Sequence, residues 1–205
     1  KLNIFLVISI YNLNMYNDFD KAIYYYQNKQ DINKAINYLA LSANQNYMEA
    51  QFKLGTIYLK TNNKRDIKKA INYFSLAANH NNSNVQYFLG LIYYIKKYHS
   101  QDISKSIHYF TLVANLNHIE ALFYLGEIFS SKDNNFYDIN KAVNYYTLAS
   151  NQNHEDAQCS LGYIYLLTEY NLYNINKAIH FFNLASNQNN LNAQINLVLI
   201  YYSGK

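Results

Sequence analysis

Proline is absent from this chain of 205 residues, glycine occurs only five times and cysteine once. Folds built from many short strands turn on glycine and proline, so their scarcity points away from an all-β protein and toward helices joined by polar connectors. One cysteine, Cys159, allows no internal disulfide and fits a reducing compartment, so a cytoplasmic protein is expected. Charge of either sign is also sparse, with 17 Lys plus Arg against 13 Asp plus Glu and a net charge of +4. Those basic residues are spread along the chain, whereas nucleic-acid binders concentrate them on one face. No apolar run is long. The longest near the N-terminus, Leu2 to Tyr11, is too short to span a bilayer and has no small-x-small cleavage site after it.

Asparagine, by contrast, supplies about one residue in six, but it is interleaved with apolar residues at helical spacing and reads as part of a folded array. The organising pattern is a repeat. The stretch Asp138 to Gly162 has close copies opening at Asp31, Asp66, Asp102 and Asn174. From each opening residue to Gly55, Gly90, Gly126 and Gly162 is 24 residues, and the fifth copy has Val198 there. From each Gly to the next opening the step is 11, then 12, 12 and 12. A unit fixed in length with a connector that varies is what stacked helical hairpins produce.

Spacing gives two helices per unit. Ile32, Ala35, Ile36, Leu39 and Ala43 lie on one face of the first. Asp31, Asp66, Asp102 and Asp138 precede that face, where a carboxylate caps free backbone N–H groups. Asn46, Asn81, Asn117, Asn153 and Asn189 follow the last apolar residue, and Asn tolerates the left-handed conformation of a helix C-cap. The second helix starts near Tyr47, Asn82, His118, His154 and Asn190, with Ala50, Leu54, Ile57 and Tyr58 as its inward stripe. Gly in mid-helix costs about 1 kcal/mol against Ala and needs a packing reason. A closely crossing helix supplies it, with the small residues Ala70, Ser106, Ala142 and Ala178 as expected partners. Residues 1–30 read as a degenerate or truncated preceding repeat, ahead of an array at 31–205. Aligning Phe5-Leu6 with the Leu-Gly pair makes Asp18 an opening residue. Alternatively, Ala22 to Tyr26 is the tail of a Gly-type helix leading into Asp31.

Ala121, Leu125 and Gly126, followed by Asp138, Lys141, Ala142, Tyr145, Tyr146 and Ala149, resemble the Sel-one-like repeat, a relative of the tetratricopeptide repeat. Two features depart from that pattern: Asn stands at the inter-helix turn in place of Gly, and the connector glycines are missing. The resemblance implies an all-α, right-handed superhelical solenoid of stacked antiparallel helix hairpins, acting as an adaptor or scaffold, with the Gly-bearing helices on its concave face.

Chemistry is scarce. His118 and His154 share a helix-start position and His108 and His180 an exposed one, so register spaces them about 8–10 Å apart, too far to share zinc. No phosphate-binding Gly loop occurs. We expect no catalytic residue, no metal and no cofactor. Small-molecule, nucleic-acid and membrane ligands are not expected either. The recurrent Lys34, Lys69, Lys105, Lys141 and Lys177 form a ladder that reads as a solvated first-turn position, with an acidic ligand as the alternative. The stronger signal is a second stripe on the Gly helices, opposite the core stripe at about 100° per residue. It contains Phe52, Thr56, Tyr87, Leu91, Tyr94, Phe123, Glu127 and Tyr163, where a solvated face should be polar. Either these rings pack between neighbouring Gly helices, or they form a groove for a protein or peptide partner, with Glu49, Glu120, Glu127 and Asp156 adding selectivity. The function expected is a protein-interaction scaffold. The alternative is a regulatory or localising region of a larger enzyme such as a kinase.

Overall fold

The computed structural model of the chain describes residues 2–28, 31–61, 63–98, 101–167 and 172–202, with side chains from residue 14 onward apart from residue 97. Among the described residues all regular structure is helical: α1 (Leu2–Gln27), α2 (Ile32–Asn44), α3 (Met48–Lys60), α4 (Lys64–Ala78), α5 (Ser83–Tyr94), α6 (Ile103–Ala114), α7 (Ile119–Ser130), α8 (Ile139–Ser150), α9 (Glu155–Leu166), α10 (Ile175–Ser186) and α11 (Leu191–Tyr202). They form two compact units, residues 1–106 and 107–205. In the first, each helix from α1 to α5 packs on the next; in the second, α7 to α11 do the same, and α9 also touches α7 and α11. Both units are stacks of helix hairpins, the helical-solenoid class expected from the repeat.

Local chemistry sets the hairpin ends. Asp31 Oδ1 accepts from the N–H groups of Asn33 and Lys34 at 3.0 and 3.1 Å. Asp102, Asp138 and Asn174 accept from the N–H of Lys105, Lys141 and Lys177 at 3.0, 3.1 and 3.0 Å. The backbone N–H of Lys34, of Lys105 and of Lys141 holds the carboxyls of Asp31, Asp102 and Asp138 below the usual carboxylate range. Asn46, Asn81, Asn117, Asn153 and Asn189 all have positive φ, between 57° and 68°. These are the five turn positions read from the sequence, with Asn doing the work that Gly usually does.

Asp66 is a correction. It does not cap a helix; α4 starts earlier, at Lys64, with Asn63 as N-cap. The Asn63 side chain accepts from Asp66 N at 2.9 Å, and Asp66 Oδ2 takes hydrogen bonds from Asn63 Nδ2 and Thr61 Oγ1 at 2.7 and 3.0 Å. This is a reciprocal arrangement of the capping-box type. The connector here is one residue shorter than the others, and Asn63 is available to start the helix sooner.

The glycines are explained by a different partner from the one the spacing suggested. A Cβ built on Gly55, Gly126 or Gly162 would meet the ring of Phe74, Tyr146 or Phe182 at 2.8, 2.5 and 2.6 Å. These rings are fully buried, as are Ala70, Ala142 and Ala178. The small residues let the backbones approach, and Ser106 Oγ donates to the Gly90 carbonyl at 3.0 Å. The atom nearest each glycine, however, belongs to the aromatic residue one helical turn further on, which lies on the same face.

Helix α1 runs unbroken through Asp18, so no connector separates Leu6 from Asp18 and the alignment that made Asp18 an opening residue does not hold. Neither Gly nor Pro is present to interrupt the helix there. Its last turns instead take the position of a Gly-type helix. Tyr25 stacks on Tyr38 at 5.8 Å, as Tyr58 stacks on Tyr73 at 5.9 Å, and Ala22 is fully buried.

Candidate functional site

The sequence placed a second apolar stripe on the Gly-bearing helices. In the first unit that stripe borders an open groove. Phe52 is half-buried, edge-on to Phe74 and Phe88 at centroid distances of 5.5 and 5.9 Å. One turn along α3, half-buried Thr56 donates to the Phe52 carbonyl at 3.0 Å and also lines the groove. Between this edge of α3, the neighbouring α1 and the first turn of α5 lies a groove of about 390 Å³. Phe19, Ile23 and Tyr26 of α1 form one wall, Phe52, Lys53 and Thr56 of α3 the other, and Val85 of α5 closes one side. Tyr87, Leu91 and Tyr94 lie outside that groove, half-buried on α5. The α1 wall was not read from the sequence. The signal was there in Ala22 and Tyr25, which keep the spacing of a Gly and its following aromatic.

In the second unit the stripe is used for packing. The Phe123 ring stacks on His154 at 4.6 Å and tilts against Tyr146 at 5.9 Å. His154 is fixed at both nitrogens: Nδ1 accepts from Ala157 N at 3.2 Å, and Nε2 is 3.2 Å from Glu120 Oε2. Glu127 accepts from the Tyr146 hydroxyl at 2.5 Å. Burial, then the charge of Glu127, pushes that hydroxyl far above the ordinary tyrosine range, so it stays a donor. Tyr163 meets Phe182 edge-on at 5.4 Å, and its hydroxyl accepts from Asn196 at 2.7 Å. The ring keeps 38% of its surface exposed, so it is both packed and presented.

The lysine ladder is internally satisfied. Lys34, Lys69, Lys105 and Lys141 pair with Asp31, Asp66, Asp102 and Asp138 at 3.2–3.6 Å. Each also lies over a ring, Tyr25, Tyr58, Tyr93 and Phe129 in turn, at 4.7–5.6 Å. Lys177 lies over Tyr165 at 4.8 Å. The ladder therefore fastens each hairpin to the one before it.

Buried glutamines were missed in the sequence. Gln51 and Gln158 donate back to the Ala43 and Ser150 carbonyls at 3.2 and 3.4 Å, tying each second helix to the turn that precedes it. Their shared place in the repeat was the available clue. Cys159 is buried, and burial followed by the nearby charge of Asp156 pushes its thiol up to about 11. Among the described residues no group of three or more His, Cys, Asp or Glu could hold a metal ion. Among them, too, no helix is long and apolar enough to cross a membrane.

The Sel1 repeat profile matches six successive segments, 14–28, 29–47, 49–82, 83–118, 119–154 and 155–190. No curated protein matches the chain significantly. Among solved structures, a Sel1 repeat protein from Oxalobacter formigenes is 29% identical, with a TM-score of 0.74 over 87% of this chain and 53% of that one. A protective antigen present in uropathogenic Escherichia coli strains, displaying an SLR fold, is 19% identical, with a TM-score of 0.60 over 92% of this chain and 49% of that one. The chain thus spans about half the length of each. Six matched segments, the hairpin stacking and the aromatic-on-glycine contact at three crossings agree. The chain belongs to the Sel1 repeat family, whose members are typically non-enzymatic scaffolds for contacts between proteins.

Proposed function

We propose that this chain is a cytoplasmic scaffold that holds a segment of a protein partner against the exposed face of its Gly-bearing helices. The observation that carries this reading is the groove of about 390 Å³ walled by Phe19, Ile23, Tyr26, Phe52 and Thr56. Its size falls within the range of sites that enclose ligand side chains, and its aromatic walls are of the kind that anchor interfaces. Phe52 and Thr56 are the stripe residues at its centre. Tyr87, Leu91 and Tyr94 in the first unit, and Phe123, Glu127 and Tyr163 in the second, are the stripe residues of the later repeats and, on this reading, form the contact face of each unit taken by itself. Residues 14–28 serve as the second helix of a preceding unit and supply the far wall, in keeping with the first matched segment.

The test is selection of random twelve-residue peptides displayed on phage against the immobilised chain, followed by challenge with Thr56→Tyr. Tyrosine already stands at this repeat position as Tyr163, so the array tolerates it, while its ring fills the groove and removes no packed side chain. Selected peptides should lose at least about tenfold in affinity, the cost of displacing one buried anchor. Peptides that bind Thr56→Tyr as well as the parent chain would move the site elsewhere.

A further inference from the structure

Around the groove of the first unit the charges are sorted along α3. At the start of α3, Glu49 lines the groove and is exposed. On α1, Asp20 is exposed and follows the wall residue Phe19 in sequence. Phe19 and Tyr16 both meet the Tyr47 ring edge-on, at 4.9 and 5.3 Å. Glu49 and Asp20 both act on the Tyr47 hydroxyl, which burial and then these charges hold above its ordinary range. Glu49 is the acid that lines the groove, and Asp20 adjoins the wall residue Phe19 in sequence. The neighbouring acid Asp18 is already paired with Lys21 at 3.9 Å. Further along α3, from one turn after Glu49, the sign reverses. Lys53 lies over the Tyr26 ring at 5.9 Å, and Lys60 donates to the Tyr26 hydroxyl at 3.3 Å.

Helices α1 and α3 run in the same direction here, since Phe19 meets Tyr47 at one end and Tyr26 meets Lys60 at the other. Glu49 thus stands at the N-terminal end of α3, while Asp20 lies in the C-terminal half of α1. A carboxylate in a first turn sits comfortably against the helix dipole, and Glu49 holds that place in α3 while also lining the groove. Lys53 and Lys60 similarly leave their charge at the rim, because a tyrosine ring or hydroxyl does not neutralise an ammonium group. A wholly apolar partner would leave both ends without counter-charges.

We infer that the groove reads a polarised peptide segment: a Lys or Arg that seats between Glu49 and Asp20, a bulky apolar side chain between Ile23 and Phe52, and an Asp or Glu that meets Lys53 and Lys60. This rests on the groove reading above and adds partner chemistry and orientation to it. From Glu49 to Lys60 is eleven residues of helix, about 16 Å at ~1.5 Å per residue. An extended peptide covers that distance in about five residues at ~3.3 Å each, so the motif is basic, two apolar-centred positions, then acidic within about four to six residues. Charge of this kind sets register and direction more than raw affinity.

The experiment uses the same phage-displayed twelve-residue library on the full chain, with charge variants as the second readout. Peptides that are lost on Thr56→Tyr should share a basic and an acidic residue about four to six positions apart around an aromatic or large aliphatic residue. A synthetic version of the strongest one, followed by fluorescence polarisation, should weaken about three- to tenfold on the pair Glu49→Gln and Asp20→Asn, the effect of two exposed ion pairs. Reversing the order of its basic and acidic residues should cost about as much, and raising salt should shrink both differences. Thr56-dependent peptides with no charge pattern, insensitive to Glu49→Gln and Asp20→Asn, would overturn the polarised motif while the groove stands. Peptides indifferent to Thr56→Tyr, or no selected peptide at all, would remove both.

Discussion

Gly126 to alanine is the perturbation that tests the packing logic most directly. In an isolated helix the change stabilises by about 1 kcal/mol. Here an added Cβ would stand 2.5 Å from the Tyr146 ring. Ordinary carbon contacts lie near 3.5–4 Å, so the ring must move about 1 Å. Tyr146 is 1% exposed and its hydroxyl holds Glu127 at 2.5 Å and lies 3.1 Å from Ser130 Oγ. Overpacking of this kind costs about 1–3 kcal/mol, and loosening a hydrogen bond to a charged group adds about 1.5–3 kcal/mol. Set against the helix-propensity gain, the net loss is about 1.5–5 kcal/mol, or roughly 3–20 °C in melting temperature for a chain of this size. Thermal melts followed by circular dichroism measure it. Gly55→Ala, where the ring stands further off at 2.8 Å, should cost less, and the exposed Asn144→Ala should stay within about 0.5 kcal/mol. Repeated in a Tyr146→Ala background, Gly126→Ala should turn neutral or stabilising, because the colliding ring is gone. An unchanged penalty in that background, or a melting temperature equal to that of Asn144→Ala, would refute the ring-on-glycine account.

Three further outcomes follow from the same geometry. At Asn153, with φ of 68°, Gly should be neutral or slightly stabilising and Ala should cost about 1–2 kcal/mol, the left-handed penalty for a residue with a Cβ; denaturant midpoints decide it. Folded-state depression of the Asp31, Asp102 and Asp138 carboxyls, caused first by backbone N–H groups, means their stabilisation is present above the unfolded value near ~3.9 and is lost as pH falls through the lower folded values. Melting temperature should therefore be flat above about pH 5 and fall below about pH 4, and Asp138→Asn, which imitates the native cap Asn174, should flatten part of that fall. Cys159, buried with its thiol near 11, should react with a disulfide reagent at pH 8 far more slowly in the native chain than in denaturant. Equal rates would mean that α9 opens readily or packs differently.

Helix pairs and the five left-handed asparagines were legible in the sequence. Each depends on a short stretch of chain whose neighbours are close in sequence. Periodicity places a residue on a helix face whatever surrounds it, and a turn needing positive φ selects Asn or Gly by the local cost of a Cβ. Asp66 was misread because one residue lost from a connector shifts which side chain reaches the first free N–H groups, and Asn63 and Asp66 are both competent caps. Spacing also required something close to each glycine. It did not choose between Ala142 and Tyr146, since both lie on the face of α8 that crosses α7, and only the crossing geometry brings the ring nearest. The groove likewise needed the tertiary structure. Phe19 and Ile23 stand at the repeat positions of Phe52 and Thr56, but they become a wall only because α1 continues as a helix and lies beside α3. The charges beside it have the same origin: Glu49 and Lys53 of α3 meet Tyr26 and Phe19 of α1 around one groove only because the two helices lie side by side.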